Sequence, residues 1–480
     1  MYDVIVVGAR CAGAPLAMLL ARAGHRVALV DRASFPSDTI STHFLWQRGA
    51  ARLQAWGLLG RLRARGCAPI REITFDVGPV QMSGIGPAVA GTADTYCPRR
   101  TVLDALLAEA AGESGAELIE GFVVRDLLWS EGRVVGVRGH RRESAESPLR
   151  ARIVVGADGL HSAVARRVAA RPYREQPALA AVYYSYWSGI CDLGASFHAR
   201  PGRLILVWPT NDGLTCVYVA WPHQEFHQVR KDVEHNYHSA LDLVPGLRDA
   251  VASGRREERL TGTGDLPNLY RTSAGPGWAL AGDAGHHKDP STGMGLSDAF
   301  LAAELLAEAI HDGLAGHRPI HDALADYQHQ RDALTANGFE LTWPRPGSRL
   351  SQPGSRRSTE PPPSNPGWPA RSSVSSEDPF RSQTSTRITS RRRRNPTKLA
   401  VSQVRPCDAR YRCKASADHT TGRGPPGSHL RPVIRPRLSL PPLAMCRGNS
   451  RTKARATRLT AQPDSARCTG MTCTAQHPGQ

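Results

Sequence analysis

What this 480-residue sequence lacks narrows the field before any motif is read. It holds no uninterrupted apolar run near the ~18 residues that a membrane span needs, so no transmembrane segment is expected. The opening Met1-Tyr2-Asp3-Val4-Ile5-Val6-Val7-Gly8 enters a strand pattern at once, leaving no room for the basic region, apolar core and cleavage site of a secretory signal. Ten cysteines are present, Cys11, Cys67, Cys97, Cys191 and Cys216 among them, but none stands in a zinc-ligand spacing. A reduced, cytoplasmic protein is expected. His223 and His227, His235 and His238, and His286 and His287 invite a metal reading, yet no nearby acid completes a ligand set, so solvated histidines are expected and no metal. Lysine is scarce, with only Lys231 and Lys288 before Trp343.

The formal charge of +18 suggests nucleic acid or an anionic surface as a partner, but its distribution argues otherwise. Through Trp343 there are roughly 35 basic against 37 acidic residues, and beyond it about 26 against 6. All the excess lies in a segment rich in Pro, Ser, Arg and Thr, with a tetra-Arg run at Arg391 to Arg394 and no hydrophobic periodicity. Such composition builds no core, so residues 344–480 are expected to be a disordered basic tail. Two origins stay open, a native arm or a shifted reading frame in GC-rich DNA. The arm would bind anionic partners with salt-sensitive affinity, but Trp368, Phe380 and Tyr411 do not interleave regularly with its basic residues, so specific nucleic-acid recognition is not expected.

The remaining length suits two to three domains of about 100–200 residues each. A strand at Asp3–Val7, a helix from Gly13 to Ala23 and a strand at Arg26–Val30 make a βαβ opening. A helical pattern spans Trp46 to Arg65, a strand Ile70 to Val77, an amphipathic helix Arg100 to Glu113, and an apolar strand Ala151 to Ala157. Strands at Ala180–Ser188, Arg203–Trp208 and Leu214–Ala220 read as an antiparallel sheet, followed by closing helices at Leu296–Asp312 and Ile320 to about Thr335. The expected fold is α/β. A Rossmann-type domain is built from residues 1–76, 100–176 and 266–343, and an antiparallel-sheet substrate domain from 77–99 and 177–265.

Gly8-Ala9-Arg10-Cys11-Ala12-Gly13 has the spacing of the dinucleotide fingerprint, with Arg10 where the middle glycine is usual. Its physical content is a tight turn, close helix–strand packing, and a pyrophosphate at a helix N-terminus. Asp31, followed by Arg32, ends the second strand where an acid can accept from a ribose. Ile153 to Gly159 and Ala281 to Gly295 then supply an Asp-Gly and a Gly-Asp motif.

With Arg100-Thr101-Val102-Leu103-Asp104, these elements resemble the superfamily of aromatic-ring hydroxylases, geranylgeranyl reductases and flavin-dependent halogenases. The resemblance implies FAD as cofactor. It implies that Asp283 of Gly282-Asp283 holds ribityl and ribose hydroxyls, that Asp158 and Gly159 brace the pyrophosphate region, and that Arg100, with Arg99 as the alternative, touches the cofactor. Pro290, Gly293, Met294 and Gly295 would form the turn facing it. Ser41, Thr42 and His43 lie in a loop that runs along the cofactor in such proteins and could face the flavin. Leu206 to Gly213 is similar to a segment bordering the substrate cavity, or is a plain hairpin turn. Tyr183, Tyr184, Tyr186, Trp187 and Trp208 line that cavity or form core, and no acid or base stands out among them. The sequence lacks the Trp-x-Trp-x-x-Pro signature of halogenases, so that branch is not expected. With no second Gly-rich βαβ unit, NAD(P)H is expected to bind transiently in the flavin groove. The expected activity is hydroxylation of a small lipophilic or aromatic molecule, or reduction of its double bond, with the flavin carrying the chemistry.

Overall fold

Gly13 starts the first helix because nothing larger fits there: a Cβ would stand 1.8 Å from the Gly8 carbonyl oxygen. In the computed structural model, which describes residues 1–341 apart from 142–143 and 191–192, and a strand at Thr472–Ala475, this contact joins β1 (Tyr2–Val7) to α1 (Gly13–Arg22). β2 (Val27–Val30) is buried along its whole length, as a parallel strand covered on both faces must be. The pattern read as one helix from Trp46 to Arg65 is two, Gln47–Ala55 and Leu59–Ala64, broken where Gly57 turns to φ +80°. α2 (Arg100–Glu113) buries Leu103, Leu106 and Leu107 against α1, as expected. β3 (Glu117–Ile119) and β4 (Ser147–Gly156) follow, β4 running into α3 (Ala163–Arg167).

The second sheet is built mainly from β5 (Ala180–Ser188), β6 (Ala195–Arg200), β7 (Arg203–Pro209) and β8 (Thr215–Pro222). β7 pairs antiparallel with both β6 and β8, and β5 pairs antiparallel with β8. The strand Ile73–Asp76, assigned on sequence to the first domain, instead pairs parallel with β6. Alternation marks a strand but not the sheet it joins. Thr472–Ala475 pairs antiparallel with Val80–Gly84 at the far edge. The rest of the tail, and Cys191, lie outside the described residues.

The chain then returns to the first sheet with β9 (Trp278–Leu280) and closes with α4 (Gly295–Ala315) and α5 (Ile320–Glu340). The parallel strands stand in the order β3-β2-β1-β4-β9. The order reverses between β1 and β4, and ligands of open α/β sheets bind at the carboxyl ends of the strands at such a point.

Candidate active site

At that reversal a cleft of about 630 Å3 opens and extends to the second sheet. Gly8 is required at its floor: φ is +106°, and a Cβ would come within 2.4 Å of the Ala157 oxygen. Ala12 precedes α1 and Met294 precedes α4, and neither end has a side-chain cap. Cys11, Ala12, Gly295 and Leu296 at these ends line the cleft. Uncapped first-turn N–H groups and the helix dipole favour an anion there.

Asp31 spans the end of β2 and the fingerprint turn. One carboxylate oxygen accepts from Ala9 N at 2.7 Å and the other from Ala33 N at 2.8 Å. It lines the cleft beside the exposed Arg32, each oxygen retaining a lone pair. Asp158 also lines the cleft but serves α3 first, accepting from Ser162 Oγ at 2.5 Å and Ala163 N at 2.6 Å. Asp283 differs from both. It is exposed to the cleft and makes no hydrogen bond or ion pair among the described residues.

Arg10 turns its guanidinium away from the fingerprint turn. It donates to Asp104 Oδ2 at 2.6 Å, to Ser37 Oγ at 2.6 Å and to Ser37 O at 3.1 Å. Asp104 is fully buried and also accepts from Arg100 Nε at 3.1 Å, Arg100 Nη2 at 3.0 Å and the Cys11 thiol at 3.1 Å. Burial opposes the charge on Arg100, but Asp104 outweighs it and holds that guanidinium above its usual range. Burial pushes the Cys11 thiol well up, so it acts as packing and not as a nucleophile. Thus the Arg-x-x-Leu-Asp element works through both charged ends, spaced i, i+4 on α2.

Thirteen of the seventeen residues expected at a cofactor line this one cleft: Gly8, Arg10, Cys11, Ala12, Asp31, Arg32, Arg100, Asp158, Gly159, Gly282, Asp283, Pro290 and Gly295. Gly13 is consumed by helix packing. Gly293, at φ +62°, lies against Phe44 and Trp46, and the Met294 sulfur lies by Gly338 of α5. His43 is the clear correction. Its neighbours Ser41 and Thr42 line the cleft, but at φ +62° its own ring is turned into the second sheet, fully buried, with Nε2 2.7 Å from the Tyr186 hydroxyl. Burial, then Arg100 and Arg99, push its pKa down to about 3.

Strand alternation sorts the aromatic residues. Tyr184, Tyr186 and Trp208 join Tyr218 and Phe44 in one core, while Trp187 and Trp221 pack with Tyr237 and Leu241 in another, with Tyr183 at its edge. Of these only Tyr218, not singled out on sequence, lines the cleft, with Val182 and Leu266 beside it. The Leu206–Gly213 segment ends in a structural turn: Asn211 accepts from Arg99 N at 2.9 Å and donates to Arg65 O at 2.8 Å. Lys288 is buried and ion-paired with Asp298 at the start of α4. Arg331, buried in α5 and also lining the cleft, supports the Gly-Asp loop through Gly285 O. Among the described residues no group of three or more His, Cys, Asp or Glu could hold a metal, and no helix is long and apolar enough to cross a membrane.

Strand order, paired uncapped helix starts and a free carboxylate in the cleft define a dinucleotide-binding α/β protein of the flavoprotein type. Residues 1–339 match the family described as FAD binding domain, and the chain belongs to it. Its curated relatives include flavin-dependent halogenases and digeranylgeranylglycerophospholipid reductases. It is 29% identical over 327 residues to digeranylgeranylglycerophospholipid reductase 2 of Methanopyrus kandleri, covering 65% of this chain and 78% of that one. It is 25% identical over 335 residues to tryptophan 2-halogenase of Chondromyces crocatus, covering 68% of this chain and 64% of the halogenase's length. Among solved structures, PqsL of P. aeruginosa in complex with 2-aminobenzoylacetate superposes with a TM-score of 0.61 at 24% identity, covering 71% of this chain and 94% of that one.

Proposed function

We propose that this chain is an NAD(P)H-reduced, FAD-dependent monooxygenase acting on a small lipophilic or aromatic molecule. The observation that carries the reading is the continuity of the cleft, from Asp31 and Arg32 past Asp283 to Val182, Tyr218 and Leu266 of the second sheet. One cavity thus has a polar end suited to a dinucleotide and an apolar end suited to a second molecule. The residues fit FAD: Gly8 gives close backbone approach, the starts of α1 and α4 face a pyrophosphate or flavin carbonyl, and Asp283 has a carboxylate to offer hydroxyls. FAD, when bound, supplies the redox and oxygen chemistry. The chain's part is to bind and orient. Asp31 accepts from the adenosine ribose, Asp283 accepts from ribityl hydroxyls, and Arg100, fixed by Asp104, holds positive charge beside the cofactor. The loop at Asp38 to Thr42 borders the cleft and limits water. NAD(P)H enters the same groove transiently, and the enzyme works in the cytoplasm.

Reduction of an isoprenoid double bond is the second reading, favoured by the likeness to the Methanopyrus reductase. The purified chain should be yellow, with a flavin spectrum bleached anaerobically by NADH or NADPH. Oxygen uptake coupled to an oxygenated product supports the first reading. A saturated isoprenoid product formed without oxygen replaces it with the second. A colourless protein that takes up no added FAD overturns both.

A further inference from the structure

The loop from Asp38 to His43 has no helix or strand of its own, and five of its six residues line the cleft. Asp38 and Ile40 are exposed as well, Ile40 by 44%, so the loop stands at the cleft mouth. Its first end is pinned by Arg10, whose guanidinium donates to Ser37 O at 3.1 Å and to Asp38 O at 3.3 Å. Two contacts within it are local: Thr39 N donates to Asp38 Oδ1 at 2.8 Å, and Ser41 Oγ accepts from His43 N at 3.1 Å.

The far anchor is Tyr186 on β5. Its hydroxyl lies 2.7 Å from His43 Nε2, and the Arg99 guanidinium stands over its ring, 4.3 Å from the centroid. A cation in that place is attracted by the ring quadrupole, more strongly when shielded from water. Arg99 is also ion-paired with Glu258 and lies 3.8 Å from Asp38 Oδ2, at the other end of the loop. The Tyr184 phenol of the same strand meets the Ser41 backbone. Arg99 and Tyr186 thus join both ends of the loop to the second sheet. Arg99, the alternative cofactor contact on sequence, does not line the cleft, and neither do His43, Tyr186 and Glu258. These contacts can form whatever the cleft holds.

We propose that Arg99 and Tyr186 are positioning residues that latch this loop across the cleft mouth and so gate entry and release of the dinucleotide. The proposal rests on the reading of the cleft as an FAD site and adds to it residues that touch no cofactor. A binding equilibrium shifts only through differential affinity, so a latch indifferent to the cleft's contents sets both rates of exchange and not their ratio. A residue that held FAD directly would act mainly on release.

The test follows FAD exchange by stopped-flow flavin fluorescence on the full chain, stripped of cofactor and reloaded. Arg99→Met should raise the association and dissociation rates together by about tenfold, the range of a hydrogen bond to a charged group, with Kd within about twofold of wild type. Arg99→Lys, which keeps the cation, should return both rates most of the way to wild type. Tyr186→Phe, which keeps the ring and loses the His43 contact, should also speed both, and it carries the comparison where Arg99→Met does not fold. Unchanged rates overturn the proposal, as does no recovery in Arg99→Lys. Weaker affinity through dissociation alone overturns it too, by returning Arg99 to the cofactor. Hydrogen exchange reads the latch without flavin: amides of residues 39–43 should exchange faster in both Arg99→Met and Tyr186→Phe than in wild type, and equal protection overturns it. If wild type binds no FAD, the flavoenzyme reading fails, and hydrogen exchange alone decides whether the loop is latched.

Discussion

Arg10 Nη1 and Asp104 Oδ2, 94 residues apart in sequence, meet at 2.6 Å. The residue that departs from the fingerprint therefore has a structural reason. It bridges the buried carboxylate of α2 to Ser37 in the loop that follows β2.

Asp104 should matter far more than Arg10. Asp104→Ala leaves the buried Arg100 guanidinium without its counter-charge and should cost about 3–5 kcal/mol in urea unfolding. Arg10→Gly leaves the Arg100–Asp104 pair in place and removes a partly exposed cation, so its cost should be about 1 kcal/mol or less. Equal losses in the two variants would contradict this ordering.

Asp283 should show the opposite profile. Exposed and unpartnered, it contributes little to folding, and Asp283→Ala should unfold within about 0.5 kcal/mol of wild type. FAD affinity should fall about ten- to hundredfold, the value of hydrogen bonds to a charged acceptor. Flavin fluorescence titration of the apoprotein, beside thermal melts, separates the two effects.

Two glycines permit a similar separation. A Cβ at Gly13 would meet the Gly8 carbonyl, so Gly13→Ala should lower stability and cofactor content together. At Gly295 nothing stands within 4 Å and the backbone is helical, so Gly295→Ala should melt no lower than wild type. Reduced FAD content in that variant would then report direct approach of the cofactor to the start of α4.

His43 predicts a pH dependence. It is held near 3 in the folded chain against an ordinary 6.5, so below pH 6.5 the unfolded chain takes up the extra proton. Stability is fully present above about pH 6.5 and falls as pH drops towards 3, by up to about 1.4 kcal/mol per pH unit for this group. Buried His286 is shifted the same way and adds to the slope. His43→Asn tolerates the positive φ and removes one proton from the linkage. Its urea stability between pH 6 and 4 should fall less steeply than that of wild type, and an unchanged slope would refute the assignment.

The βαβ opening and the helix Arg100–Glu113 were legible because period and glycine placement are local properties. The destination of Ile73–Asp76 was not, since pairing with Ala195–Arg200 spans more than a hundred residues and leaves no mark on either strand alone. Alternation separates Tyr184 and Tyr186 from Tyr183 and Trp187, but parity does not tell which face meets the first sheet. For the same reason Tyr218 went unnoticed. Asp104 was visible inside its motif, yet its role depends on three cationic or thiol partners that only the packed structure assembles.

The clasp between Arg10, Ser37 and Asp104 also orders assembly in time. During synthesis the fingerprint leaves the ribosome some ninety residues before the acid that anchors it, and Gly295 follows almost two hundred residues later still. A nascent chain that stops before residue 100 carries the motif without its counter-ion, and one that stops before residue 282 lacks Asp283. On the proposed roles of Asp104 and Asp283, competence to capture the dinucleotide arrives late, as a property of nearly the whole matched region and not of its first thirty residues.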